Sequence, residues 1–433
     1  MKLVSNLFKR IISSSLFKSS GIYTITASIN AGIPLLLLPV LTVKLSPEDY
    51  GLIAMFQLVT SLIYPIFGMN LESSIARKYF DEDNSDFPSY IGTSIVLVLL
   101  NTIVTGTLYF FLFKYISDIT LVPFEWIKFT LLVAICQFLS SVILTTYQVR
   151  IKPISYGFFQ IGQSIVNITL TLIFVVVLEE TWRGRLNAQI YTGVISAIIS
   201  LILLYRTNQL KINIKISDVK HALNFGLPLI PHVLGGLLFT AIDRFFLTKM
   251  VGLEQTGNYS VAYQLGAIIS LVTLAFNNAF TPWLYGELNK NCDIIKLKIV
   301  KFTYIYFILI SLFSIAVIYI FPLLVSIFVG ERFTSVGSYS TFIIWGFVFQ
   351  GMYYMVTNYI GYANKTYILA IITISVGVFK IPLTYFLIKF FDAPGASISY
   401  CITFLLFFLL TWILSAKVYK MPWLYFLKNN IIK

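Results

Sequence analysis

Apolar runs of about 20 residues recur along almost the whole chain, parted by short polar stretches rich in Lys, Arg, Asn and Gly. In windows of about 19 residues, the first half predicts spans at 20–42, 50–70, 89–113, 122–146, 155–178 and 187–205. The second half predicts 224–247, 257–279, 302–329, 335–359, 366–388 and 395–416. Each can cross a hydrocarbon core of ~30 Å, which takes about 20 helical residues. The expected fold class is therefore all-α and integral to the membrane, with about twelve transmembrane helices. Pro34, Pro39, Pro228 and Pro382 fall inside these runs; membrane helices tolerate proline where neighbours satisfy the freed carbonyl. The longest connections, 71–88 and 206–223, leave no room for a soluble catalytic domain.

Composition agrees. The chain is 58% hydrophobic and 11% charged, with a mean hydropathy of +0.85, whereas soluble domains carry about 25% charged residues. The 16% aromatic content suits interface belts and lipid-facing surface. Lys2, Lys9, Arg10 and Lys18 precede a long apolar run rather than a short one with a small-residue cleavage site, so the first run reads as a retained span. Cys136, Cys292 and Cys401 suggest neither a disulfide framework nor metal spacing, and no cofactor is called for.

Charge then fixes orientation. With the N-terminus inside, twenty-one Lys and Arg residues fall on the cytoplasmic side and eight outside, the bias expected of a membrane protein. Both termini are expected in the cytoplasm, and the net charge of +13 reflects topology rather than nucleic-acid binding. The implied organisation is a basic segment at 1–18, a six-helix bundle at 19–206, a cytoplasmic linker at 207–221, a second six-helix bundle at 222–418 and a tail at 419–433. "LTVKLSPEDYG" (41–51) and "LTKMVGLEQTG" (247–257) share Leu, Thr, Glu and Gly at a shift of 206 residues, and each closes the first span of its half. That points to a parallel internal repeat.

Several spans carry more polarity than packing requires. The fifth sets Gln160, Gln163, Ser164, Asn167 and Thr171 on one helical face. The first offers Asn30, the eighth Gln264, and the tenth Gln350 and Asn358. Amide stripes in both halves suggest a wet, polar cavity suited to sugar hydroxyls, though each residue singly also suits interhelical hydrogen bonding. Arg244 and Lys380 lie within spans, where ionisable groups are costly and mark candidate functional sites. Asp243, beside Arg244, is the one acid placed inside a span and, with His232, a candidate for ion coupling. Adjacent residues lie about 100° apart on a helix, so Arg244 continues the stripe of His232, Gly236 and Thr240 while Asp243 turns to a neighbour. Arg77, Lys78, Arg150 and Lys152 cluster at the cytoplasmic mouth, as topology anchors or as receivers of an anionic headgroup.

"PLLLLPVLTVKLSPEDYG", "FGLPLIPHVLGGLLFTAIDRFFL" and "GLEQTGNYSVAYQ" resemble the bacterial polysaccharide-transporter, or O-antigen flippase, family, and the likeness spans essentially the whole chain. The family shares a superfamily with multidrug and toxin extruders and peptidoglycan-precursor flippases. The resemblance implies a V-shaped pair of six-helix bundles with a cationic lumen in the bacterial inner membrane. The implied substrate is an undecaprenyl-pyrophosphate-linked oligosaccharide, an O-antigen or capsule repeat unit, flipped from the cytoplasmic to the periplasmic leaflet by alternating access. Membrane lipids, a coupling proton or sodium ion, and polymerase and chain-length proteins are its implied partners. Rival readings are a cation-coupled drug antiporter, for which the first six spans lack an acid, a precursor flippase with more spans, and a membrane enzyme of polysaccharide assembly, for which no catalytic constellation is seen.

Overall fold

The computed structural model describes residues 15–81 and 86–424. Lys2, Lys9, Arg10, Lys428 and Lys433, and the 425–433 part of the predicted tail, lie outside the described residues. Every regular element among the described residues is helical. In lipid this is the expected solution, because an isolated helix satisfies its own backbone hydrogen bonds.

The first half contains α1 (Ser15–Lys44), α2 (Pro47–Gly68), the short α3 (Leu71–Lys78), α4 (Phe87–Thr120), α5 (Phe124–Val149), α6 (Pro153–Thr171) and α7 (Thr181–Arg206). A π-helical turn, Leu172–Val177, extends α6. Then follow α8 (Ile216–Gly226), a 3₁₀ turn at Leu227–Leu229, α9 (Ile230–Met250), α10 (Leu253–Gly266), α11 (Ile268–Leu288), α12 (Asp293–Phe328), α13 (Val336–Tyr362), α14 (Tyr367–Phe391) and α15 (Pro394–Val418).

Every predicted span coincides with a long helix or a helix pair. Ten of these are long and apolar enough to cross a membrane. α13, which is not among them, has a local reason to differ. α13 buries much of its length, from Val336 to Ile360, among protein neighbours, so lipid does not dictate its composition. The eighth span is two helices meeting at Ala267, beside Gly266, where an added Cβ would stand 2.8 Å from Ile343. The region read as a linker contains α8, whose buried Asp218, Ala222 and Gly226 recur every fourth residue. A hydropathy window averages over such a narrow stripe and misses it.

The shift of 206 residues recurs in the helix boundaries. Lys44 and Met250 end α1 and α9, Pro47 and Leu253 begin α2 and α10, and Phe87 and Asp293 begin α4 and α12. The turns differ in chemistry: Ser46 and Asp49 close a reciprocal capping box at the start of α2, while Gly252, at φ 123°, precedes α10.

The chain divides into two compact units, to Leu237 and from Leu238, with the boundary inside α9. In the first unit Leu71, Tyr90, Ile91, Phe138, Val142 and Leu204 form a core joining α3, α4, α5 and α7. In the second, α13 packs closely on α15: a Cβ at Gly346 would stand 2.4 Å from the Tyr400 ring. α4 and α12 expose Phe110, Phe111, Leu309 and Leu312, the apolar surface lipid would cover.

Candidate functional site

The charged centre of the second unit is built on α9. Its Asp243 and Arg244 point about 100° apart. Asp243 faces inward and accepts from Lys380 of α14 at 2.7 Å, from the Tyr259 hydroxyl of α10 at 3.1 Å and from Thr384 at 3.4 Å. Thr384 and Ser399 of α15 are 2.6 Å apart, which extends the network to a fourth helix. Lys380 also donates to the Phe239 carbonyl and lies 5.4 Å from the Tyr400 ring centre. Neither ion-pair side chain is exposed.

The sequence reading turned Asp243 toward a neighbouring helix without naming its partner and kept Lys380 among the candidate site cations. In the structure that neighbour is α14, whose Lys380 pairs with Asp243. A buried charge demands a partner, and Lys380 finds one anion, one carbonyl and one aromatic face. Arg244 makes none of that pair's hydrogen bonds, although its charge lies within reach of both partners. Its guanidinium lies 5.1 Å from the centre of the Tyr263 ring, and its Nε has no hydrogen-bond partner. Stacking on an aromatic face orients the planar fork while leaving charge to offer an anion.

The amides predicted in this unit are drawn into interhelical contacts. Ser270 of α11 donates to Gln350 of α13 at 3.2 Å. Asn358 of α13 donates to Asn277 at 3.1 Å and accepts from Thr281 at 3.2 Å. Gln264 is half-buried on α10, and His232 is exposed on the first turn of α9.

The first unit has its own polar cluster. Ser164 of α6 donates to Asn30 of α1. Asn167 donates to Thr192 of α7 at 3.3 Å and accepts from Arg185 at 2.8 Å; Arg185 also donates to Thr171 at 2.9 Å. The Gln160 and Gln189 side-chain carbonyls are buried without hydrogen-bond partners. Sequence reasoning missed Arg185, counting it among the outer topology cations because the sixth span was begun at 187. In fact α7 begins at Thr181 and takes Arg185 into its second turn. The stripe Arg185, Gln189, Thr192 and Ser196 at helical spacing was the signal that could have found it.

The four predicted mouth cations divide. Arg77 and Lys78 each lie 3.6 Å from Asp81. Arg150 is 5.8 Å from the ring centres of both Tyr79 and Phe87, and its Nε lacks a hydrogen-bond partner. Lys152 is exposed at the start of α6. Close by, the Tyr90 hydroxyl and His221 Nδ1 are 2.8 Å apart, and His221 Nε2 is 3.7 Å from Asp81. His221, on the unforeseen α8, was not singled out from the sequence.

Residues 16–286 match the family model described as polysaccharide biosynthesis protein. The chain belongs to that family. The match covers the first unit's helices and the charged turn of α9; Lys380, Gln350 and Asn358 lie beyond it. An uncharacterized membrane protein of Haemophilus influenzae is 25% identical over 358 residues, 81% of this chain and 85% of that protein. Two solved structures share the fold. An inward-facing multidrug resistance MATE family transporter of the MOP superfamily aligns with a TM-score of 0.73 at 14% identity, covering 94% of this chain and 96% of that one. The lipid II flippase MurJ, in an inward closed conformation, aligns with a TM-score of 0.73 at 12% identity, covering 95% and 93%. The architecture is thus the MATE-like one expected, in a multi-pass membrane protein.

Proposed function

We propose that this chain is a flippase that carries an undecaprenyl-pyrophosphate-linked oligosaccharide from the cytoplasmic to the periplasmic leaflet of a bacterial inner membrane, with both termini in the cytoplasm. The observation that carries the reading is family membership in polysaccharide biosynthesis on a fold shared with a lipid II flippase. The headgroup is what needs a protein, because its charge and hydroxyls cannot enter hydrocarbon unaided, whereas the polyprenyl chain is at home in lipid.

Arg244 is the proposed contact for the diphosphate or an acidic sugar, since its fork is oriented by Tyr263 and its Nε is unsatisfied. Asn30, Gln160, Gln163, Asn167, Gln264, Gln350 and Asn358 are the proposed surface for sugar hydroxyls. Arg77, Lys78, Arg150 and Lys152 are proposed to gather the anionic headgroup at the entry side. The proposed domains are the two six-helix halves, 19–206 and 222–418, working by alternating access. A proton or sodium ion coupled through Asp243 is compatible with its burial beside Lys380.

The test is deletion of the gene with radiolabelled sugar tracing. Loss of surface polysaccharide, with single lipid-linked units accumulating on the cytoplasmic face, supports the flippase. Units still reaching the outer leaflet, with raised drug sensitivity, would replace it by the drug antiporter that shares the fold.

A further inference from the structure

Between α7 and α8 the chain runs from 209 to 215 without helix, over the sequence "QLKINIK". Ile212, Ile214 and Ile216, at every second position, are 77%, 53% and 75% exposed. Side chains two apart on an extended chain project to one side, so the three isoleucines form an apolar stripe.

The segment is fastened alongside the first turns of α4. The Lys211 amide donates to the Pro88 carbonyl at 3.1 Å, and the Thr93 hydroxyl donates to the Asn213 carbonyl at 3.4 Å. Pro88 to Thr93 rises about 7.5 Å along a helix, a distance that two residues cover only when extended. α4 has 34 residues, hence a length of about 51 Å against a hydrocarbon core of ~30 Å. A centred α4 therefore carries its first ~10 Å, residues 87–93, in the headgroup layer. The isoleucines stand beside those turns, at the depth where headgroups meet acyl chains.

The charges around the stripe point the same way. Arg206, Lys211 and Lys220 are exposed. Asp218, the one acid between 206 and 220, is buried, and Lys215 pairs with Asp86. Tyr205, 74% exposed at the end of α7, adds a ring of the kind that settles at membrane interfaces. Three isoleucines fall far short of the ~800 Å² per partner that a stable protein interface buries. Shallow apolar insertion among basic residues is instead what binds a surface of negative lipid.

We propose that the 211–216 segment is an interfacial anchor, its isoleucines inserted at the headgroup–acyl boundary and Arg206, Lys211 and Lys220 held by anionic phospholipid. The anchor goes beyond the flippase reading and needs only that α4 and α7 cross the membrane. It ties the α7–α8 connection to the bilayer surface, so that anionic lipid content sets how firmly that connection is held.

The experiment uses the full-length protein in nanodiscs of phosphatidylcholine with or without phosphatidylglycerol. A nitroxide is attached at Ile214→Cys or, for comparison, at Asn213→Cys, with Cys136→Ala, Cys292→Ser and Cys401→Ala removing the native thiols. Relaxation of the spin by oxygen reports acyl surroundings, and relaxation by a water-soluble nickel chelate reports water. With phosphatidylglycerol present, the label at 214 is expected to favour oxygen severalfold more than the label at 213, and to lose that preference in phosphatidylcholine alone. Lys211→Gln and Lys220→Gln should each weaken insertion about fivefold, the weight of one basic residue near an anionic surface. A label at 214 that favours the nickel chelate, or behaves alike in the two lipids, overturns the proposal. So does spin–spin broadening between two copies, which would put a second copy on the stripe. Unlabelled wild-type protein gives a check free of variants: hydrogen exchange over 211–217 should slow severalfold when phosphatidylglycerol is added, and unchanged exchange contradicts the anchor. Neither readout involves transport, so failure of the anchor leaves the flippase standing, and failure of the flippase leaves the anchor.

Discussion

Lys380 and Asp243 meet at 2.7 Å on facing helices, and neither side chain has exposed surface. Two hydroxyls, from Tyr259 and Thr384, complete the carboxylate's surroundings. Removing one partner leaves the other charged and enclosed, which costs about 3–5 kcal/mol for buried pairs. Replacing both with apolar groups removes that penalty.

Lys380→Met is therefore expected to lower stability by about 3–5 kcal/mol, and Lys380→Met with Asp243→Leu to recover most of the loss. Thermal unfolding in detergent, followed by tryptophan fluorescence, checks it. A double variant as unstable as the summed single ones would remove the pair from the account.

Arg244 gives a different expectation, because its guanidinium rests on Tyr263 and makes none of the pair's hydrogen bonds. Arg244→Ala should reduce surface polysaccharide to background while the protein inserts and accumulates normally. Arg244→Lys should restore part of the activity, since an ammonium keeps the charge and the aromatic contact but loses the bidentate fork. Normal export by the alanine variant at matched abundance would refute the assignment.

The membrane helices were legible in the sequence because lipid imposes one rule on every span: about 20 apolar residues per crossing. The helix boundaries repeat the shift of 206 residues that two short stretches suggested. Pair identity was not legible. Asp243 adjoins Arg244 in the chain, but Lys380 comes from α14, 137 residues away, and only packing of α14 against α9 and α10 chooses between the two cations. Arg185 and His221 were hidden for a related reason. Each sits at the edge of an apolar run, where an average over many residues hides a single buried polar contact.

α8 is fastened to the first unit by contacts that can be tested separately. Ser74 donates to the Ala222 carbonyl at 3.1 Å, and Tyr90 meets His221. Upstream, a Cβ on Gly92 would stand 2.0 Å from the Lys211 carbonyl oxygen. Gly92→Ala should push the 208–215 segment off α4 and speed hydrogen exchange across 208–226. Tyr90→Phe should have a smaller effect, about 0.5–1.5 kcal/mol for one hydrogen bond. Unchanged exchange in Gly92→Ala would contradict this packing.

The Asp86–Lys215 ion pair supplies a pH signature. The hydrogen bond from Lys215, then that from Ser89, holds the Asp86 carboxyl below the ordinary carboxylate value. A depressed folded pKa means the stabilisation is present above the unfolded value, near 3.9, and disappears as pH falls through the folded one. Exchange near Lys215 should therefore be constant from neutral pH to about 5 and rise, beyond the intrinsic trend, below about 4. Both side chains are partly exposed, which limits the effect to about 0–1 kcal/mol. In Asp86→Asn the excess rise should vanish; if it persists, another group is responsible.

The most direct measurement of the central claim is flipping by the purified chain. The protein is reconstituted into liposomes containing fluorescent undecaprenyl-pyrophosphate oligosaccharide in both leaflets, and a membrane-impermeant reductant is added outside. The account predicts that wild-type protein exposes nearly all the fluorophore to reduction, while Arg244→Ala and protein-free liposomes keep the inner-leaflet half protected. Protection of that half with wild-type protein, under an imposed proton or sodium gradient as well as without one, would contradict it.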